Sequence, residues 1–196
     1  MPRETMSPRE RWLAVLNRET PDRVPMDYWS TQEATDKLLQ HMGCDYETML
    51  QRLHIDRPLA LVPRYAGPPL VDGKDYWGIQ HRNVDYGTGV YSEAVDHPLA
   101  PYTTVEEIEA HYTWPSADWF DFSDLPAIAR KNAHRPIHGG GSEPFLVYKE
   151  LRGDEQAFMD LLIAPEIVHY CLDKMFGFAY DMTQRIFETV PGAVTY

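Results

Sequence analysis

The chain has 196 residues, 43% of them hydrophobic and 24% charged, an ordinary globular composition that fills one core and is short for two. Its net charge of −12 at pH 7 repels phosphate backbones and anionic lipid, which argues against a nucleic-acid or membrane-surface role. Cys44 and Cys171 are too few for a disulfide framework or a complete thiolate metal site; no apolar run nears the roughly 20 residues of a membrane span, and the charged start is unlike a signal peptide. A reducing cytoplasm is therefore the expected compartment.

Ser7-Pro8-Arg9-Glu10 opens a helix, with Ser7 as cap, Pro8 at the first helical position and Glu10 closing a capping box. Trp12, Leu13, Val15 and Leu16 supply its buried side, and Thr20-Pro21-Asp22 turns the chain. Residues 23–28 read as a first strand. Ser30 to Glu33 repeats the capping-box spacing and opens a helix to about Met42, closed by Gly43; a short helix follows over 46–53. Residues 55–62, with four apolar side chains in succession from Leu59, have the pattern of a strand buried on both faces.

Residues 76–95, broken at Asp85-Tyr86-Gly87-Thr88-Gly89, predict a surface β-hairpin. Thr104 to Glu107 is another capping box, for a helix ending near Tyr112, and residues 124–133 give one more helix. Arg135-Pro136-Ile137-His138 predicts a short strand running into Gly139-Gly140-Gly141-Ser142, then a helix through Leu151 stopped by Gly153. Two helices follow, the second with Val168, Leu172, Met175, Ala179, Met182 and Ile186 on one face. Residues 193–196 begin what reads as another strand.

Buried strands separated by helices imply a parallel α/β sheet. About four such strands are present, and a (β/α)8 TIM barrel needs at least ~200 residues and typically ~250. The expectation is a single domain over residues 1–196 that forms roughly the first half of such a barrel, the sequence being truncated.

The opening Ser7-Pro8-Arg9-Glu10-Arg11-Trp12-Leu13-Ala14-Val15-Leu16, followed by Thr20-Pro21-Asp22-Arg23-Val24-Pro25, resembles the N-terminus of uroporphyrinogen decarboxylase-type proteins. Tyr76-Trp77-Gly78-Ile79, His97-Pro98-Leu99-Ala100, Trp114-Pro115 with Asp118-Trp119-Phe120-Asp121, and Leu151-Arg152-Gly153 resemble the branch grouped with cobalamin-dependent methyltransferases. The decarboxylases carry an Arg-Gln-Ala-Gly-Arg stretch after the first strand, whose guanidiniums hold carboxylates by forked hydrogen bonds; here that place is taken by Met26-Asp27-Tyr28-Trp29-Ser30. The resemblance thus implies a corrinoid-linked methyltransferase, in which zinc activates a thiol to take a methyl group from a methyl-corrinoid protein. The family's zinc ligands lie in its second half and match nothing here, so no cofactor is expected on these 196 residues and they are expected to be inactive alone.

Barrel chemistry sits where strands end. That rule selects Asp27, Tyr28 and Trp29 after the first predicted strand, Arg64 and Tyr65 after the second, and His138 with Gly139, Gly140, Gly141 and Ser142 after the third. Asp27 and His138 are the catalytic candidates. Asp27 suits proton transfer or a hydrogen bond to a substrate amine or pyrrole N–H, and equally an ordinary turn carboxylate. Arg64 and Tyr65 suit an anionic substrate group or a loop salt bridge, and the glycines an anion-binding turn or a tight turn alone.

The other histidines lack ligand spacing, and the aromatics Trp114, Trp119 and Phe120 read as anchors of a long loop. Three further readings compete: uroporphyrinogen decarboxylase itself, with a tetrapyrrole instead of a thiol substrate and no cofactor; a glycoside hydrolase with two carboxylates about 5 to 10 Å apart; and a non-catalytic half-barrel completed by a second copy or another subunit.

Overall fold

The structure, a computed structural model, describes residues 4–141 and 143–196. Its elements in chain order are α1 (Pro8–Leu16), α2 (Gln32–Met42), α3 (Tyr46–Arg52), β1 (Leu59–Leu61), β2 (Arg64–Tyr65), β3 (Gln80–Asp85), β4 (Val90–Asp96), α4 (Val105–His111), β5 (Phe120–Asp121), α5 (Leu125–Lys131), β6 (Ile137–Gly139), α6 (Pro144–Arg152), α7 (Asp154–Ile163) and α8 (Pro165–Thr189). The fold is mixed α/β, its strands pair two by two, and no barrel closes among the described residues. Among those residues no helix is long and apolar enough to cross a membrane.

Helix starts follow local chemistry. Ser7 and Thr104 each form the reciprocal capping box with the glutamate three residues on. At α2 the cap is Thr31 rather than Ser30, because the Ser30 hydroxyl bonds Tyr28, Thr35 and the Thr31 carbonyl instead. Gly43 ends α2 in the left-handed conformation, φ +59°, which costs glycine no steric strain.

The chain divides into two compact units: Met1–Pro63 with Phe122–Gly140 and Gln184–Tyr196, and Arg64–Asp121 with Gly141–Thr183. In the first unit β1 and β6 pair in parallel, with Leu59 opposite Ile137, Ala60 opposite His138 and Leu61 opposite Gly139. Side chains alternate across a strand. Leu61 and Ile137 therefore share one face, where they pack with Leu125 and Ala129 of α5 and Ile186 and Val190 at the end of α8, while Ala60 and His138 share the other.

Two strand expectations are corrected. Residues 23–28 form no strand: Pro25 has no N–H to give a ladder, Val24 is 78% exposed, and the segment is held by Asp56, whose N–H donates to the Met26 carbonyl while its carboxylate accepts from the Met26 N–H. Residues 55–62 shrink to the three of β1, confined between Pro58 and Pro63, and only one face is buried, since Ala60 is exposed and Val62 is 73% exposed. Residues 193–196 are not assigned as a strand, yet they lie along β6: the Thr195 N–H donates to the Ile137 carbonyl at 2.6 Å and the Gly139 N–H to the Tyr196 carbonyl at 3.3 Å.

A buried ion network joins α1 to the turns around it. Arg11, with no exposed surface, donates to Asp22 and to the buried Asp56, and Arg23 donates to Asp56 and Glu4. The second unit holds the antiparallel pairs β2–β5 and β3–β4 and a core of Trp77, Ile79, Leu99, Ile108, Tyr148, Leu151 and Cys171. Its polar centre is Asp160, fully buried, which accepts from Tyr148, Arg152 and Gln156 while Arg152 also donates to the carbonyls of Leu99 and Tyr102.

Candidate functional site

The ladder face that the helices leave uncovered forms one wall of a cavity of about 580 Å³ in the first unit. Ala60 and His138 come from that face. Asp27, Tyr28 and Trp29 come from the extended segment pinned by Asp56, Arg57 and Arg135 from the residues just before β1 and β6, Tyr46 from the start of α3, and Tyr196 from the segment beside β6. Four of the side chains expected to carry chemistry, Asp27, Tyr28, Trp29 and His138, are thus brought together.

Each is positioned by its neighbours. The His138 imidazole stacks on the Tyr196 ring with centroids 5.6 Å apart, and Tyr196 stacks on Trp12 at 5.3 Å, which makes a three-ring column. Arg9 fixes that column by donating to the Ala193 carbonyl and to Thr195 Oγ1, at 2.6 and 2.9 Å. Burial, and then the Asp27 carboxylate, push the Tyr196 phenol above its ordinary value.

The Tyr28 phenol sits in a hydroxyl cluster, 2.9 Å from Ser30 Oγ and 3.1 Å from Thr35 Oγ1, with Ser30 and Thr35 themselves 2.8 Å apart. Hydrogen bonds from Ser30 and then Thr35, assisted by the positive charge of Arg57, lower its pKa. Its ring meets Tyr46 edge-on at 6.4 Å.

The charges on the wall are arranged unequally. Arg135 donates to Glu47 at 3.1 Å and to the Arg57 carbonyl at 3.3 Å. Arg57 donates to the Tyr28 carbonyl, and the Asp27 carboxylate accepts the Tyr28 N–H at 2.7 Å. Neither Arg57 nor Asp27 has an ion-pair partner among the described residues.

The remaining candidates stand elsewhere. Arg64 and Tyr65 form β2 in the second unit, where Arg64 pairs with Asp121 and the Tyr65 ring packs on Tyr76, Trp119 and Phe120, so the loop salt bridge foreseen for Arg64 is present. Gly139 belongs to the helix side of β6: a Cβ there would lie 3.0 Å from Ile186 Cγ2 and 3.1 Å from Val194 Cγ2, which accounts for the glycine by packing. Gly140 and Gly141 turn the chain with φ of 90° and 103°, and Ser142 lies outside the described residues.

Sequence reasoning missed Tyr46, Arg57, Arg135 and Tyr196. The available signal was Arg-Pro followed by an aliphatic residue, at 57–59 and again at 135–137. Among the described residues no three His, Cys, Asp or Glu side chains come together as metal ligands; Cys171 is fully buried, and desolvation pushes its thiol up to about 12. Comparison of the chain with protein-family models, with curated proteins and with solved structures finds no match.

Proposed function

We propose that the first unit is part of a uroporphyrinogen decarboxylase-type barrel, its N-terminal part, and that its cavity receives the small-molecule substrate of a corrinoid-linked methyltransferase. The observation that carries this reading is the two-faced parallel ladder. One face packs on α5 and the end of α8, and the other is open and presents His138 beside Asp27, Tyr28 and Trp29, a division like that between the helix-covered outer face and the inner face of a barrel strand. The motif blocks along the chain support the family, and the Met26-Asp27-Tyr28-Trp29-Ser30 segment in place of the arginine-rich stretch favours the methyltransferase branch.

The described residues supply no ligand set for the zinc ion of that branch, so no step is assigned to it. Their own contribution is enclosure and proton handling: a thiol must lose its proton before its sulfur attacks a methyl carbon, and the His138 imidazole and Asp27 carboxylate are the groups in the cavity able to take one. A second reading, uroporphyrinogen decarboxylation, is favoured by Arg57 and Arg135, which bring two guanidiniums to the same cavity.

The test uses the protein expressed from its intact gene, assayed in parallel for transfer of the methyl group of methylcobalamin to a thiol and for loss of carbon dioxide from uroporphyrinogen. Methyl transfer that falls at least tenfold in His138→Ala is the expected result. Decarboxylation without methyl transfer reverses the choice, and neither activity removes both readings.

A further inference from the structure

From the two unpaired charges on the cavity wall we infer that the cavity binds a small zwitterion, its carboxylate on Arg57 and its cationic nitrogen on Asp27. This goes beyond the reaction class proposed above and stands on the cavity alone.

Arg57 and Asp27 are fastened to the two ends of one residue. The guanidinium donates to the Tyr28 carbonyl and the carboxylate accepts the Tyr28 N–H, yet the two side chains form no ion pair with each other. Each is committed to the Tyr28 backbone rather than to the other, and both line the same cavity.

A ligand with one charge satisfies one of them and is repelled by the other; a ligand with both satisfies both. The contrast with Arg135 is informative, since that guanidinium is already compensated by Glu47. The rings argue for the same ligand: Trp29, 93% exposed, and the edge-on pair Tyr28 and Tyr46 line the cavity with Asp27, surfaces that attract an ammonium or quaternary ammonium group. Arg57 supplies the planar fork that suits a carboxylate.

The experiment is calorimetric titration of the whole chain with glycine betaine, glycine, choline and acetate. Glycine betaine or glycine is expected to bind at least about tenfold more tightly than choline or acetate, and the dependence of the nitrogen on Asp27 is read from the Asp27→Asn variant for whichever of the two binds the tighter. Asp27→Asn is expected to weaken the zwitterion about tenfold and, by removing the like charge, to tighten acetate, whereas Arg57→Gln weakens zwitterion and acetate alike. Asp27 is exposed, so its variant remains readable even if Arg57→Gln disturbs folding. Choline or acetate binding as tightly as the zwitterions, no binding of any of the four, or zwitterion binding that Asp27→Asn leaves untouched overturns the assignment.

Discussion

Asp56→Asn is the sharpest probe of what builds the cavity. The Asp56 carboxylate is 1% exposed and accepts from four donors: Arg11 Nη1, Arg23 Nη1 at 2.6 Å, Arg23 Nη2 at 3.0 Å and the Met26 N–H at 3.0 Å. Asparagine removes the charge and turns one acceptor into a donor that faces a guanidinium or an amide. Breaking a buried pair by changing one partner costs about 3 to 5 kcal/mol. Arg11 keeps Asp22 at 2.6 Å and Arg23 keeps Glu4 at 2.7 Å, so the lower end, about 3 kcal/mol, applies. At roughly 2 to 4 °C per kcal/mol for a chain of this size, the melting temperature falls by about 6 to 12 °C.

The assay is thermal unfolding followed by circular dichroism at pH 7. Arg82→Gln serves as control: Arg82 pairs with Glu93 on the exposed hairpin, and such a pair is worth about 0 to 1 kcal/mol. Because Asp56 is shielded from solvent, the drop should persist in strong salt, where exposed pairs are screened. The same variant should weaken zwitterion binding, since Asp56 bonds both the N–H and the carbonyl of Met26 and so sets the position of Asp27. A fall of less than about 2 °C, no larger than that of the control, would refute the reasoning that this carboxylate organises the unit.

Acid should unfold the chain through carboxylates held below their ordinary range. Asp22 is lowered chiefly by its bond from Arg11, and Asp160, although burial pushes it up, is lowered on balance by bonds from Arg152, Tyr148 and Gln156. The folded state therefore binds fewer protons than the unfolded one. This stability is complete above the ordinary Asp value of 3.8 and is lost as pH falls through the lower folded values; a urea midpoint flat from pH 4 down to 2 would contradict it. Gly67→Ala should destabilise the second unit by about 1 to 3 kcal/mol, because its Cβ would stand 2.6 Å from Trp119 Cβ and 2.8 Å from the Tyr65 hydroxyl; an unchanged urea midpoint counts against that close approach. At pH 8 a disulfide reagent should titrate Cys44, which is partly exposed, and reach Cys171 only in urea, since Cys171 is buried and its thiol pKa is pushed up to about 12; rapid release of two equivalents from the native protein would place Cys171 at the surface.

What the sequence made legible was local. The capping boxes at Ser7 and Thr104, the left-handed stop at Gly43 and the hairpin around Asp85 to Gly89 are each decided within a few residues, and each was found. Strand extent was not, because it depends on partners distant in the chain. Residues 23–28 alternate like a strand, but Pro25 cannot donate, and a side chain, Asp56, does the work a neighbouring strand would do. Residues 55–62 read as buried on both faces because four apolar residues run together, yet the second face belongs to a cavity that only the pairing of Ala60 with His138 reveals.

The site was legible to the same degree and for a related reason. A rule applied to expected strand ends selects Asp27, Tyr28, Trp29 and His138, although residues 23–28 form no strand and His138 is the middle residue of β6, and it overlooks Arg57 and Arg135, which stand where strands begin. The proline after each arginine explains their placement: it disfavours helix in the residue before it and favours extended backbone, so each arginine leads straight into its strand. Because Leu59 and Ile137 are paired in register, the two arginines occupy equivalent places before adjacent strands. The repeat would give two equal cations, and α3 makes them unequal by placing Glu47 against Arg135 and nothing against Arg57. That cation and Asp27, the one acidic side chain lining the cavity among the described residues, are bonded to the carbonyl and the N–H of Tyr28. That asymmetry depends on Glu47, so Glu47→Gln should release Arg135 and shift the cavity's preference from zwitterions toward acetate. Unchanged relative affinities for glycine betaine and acetate in that variant would show that the salt bridge to Arg135 plays no part in selecting the ligand.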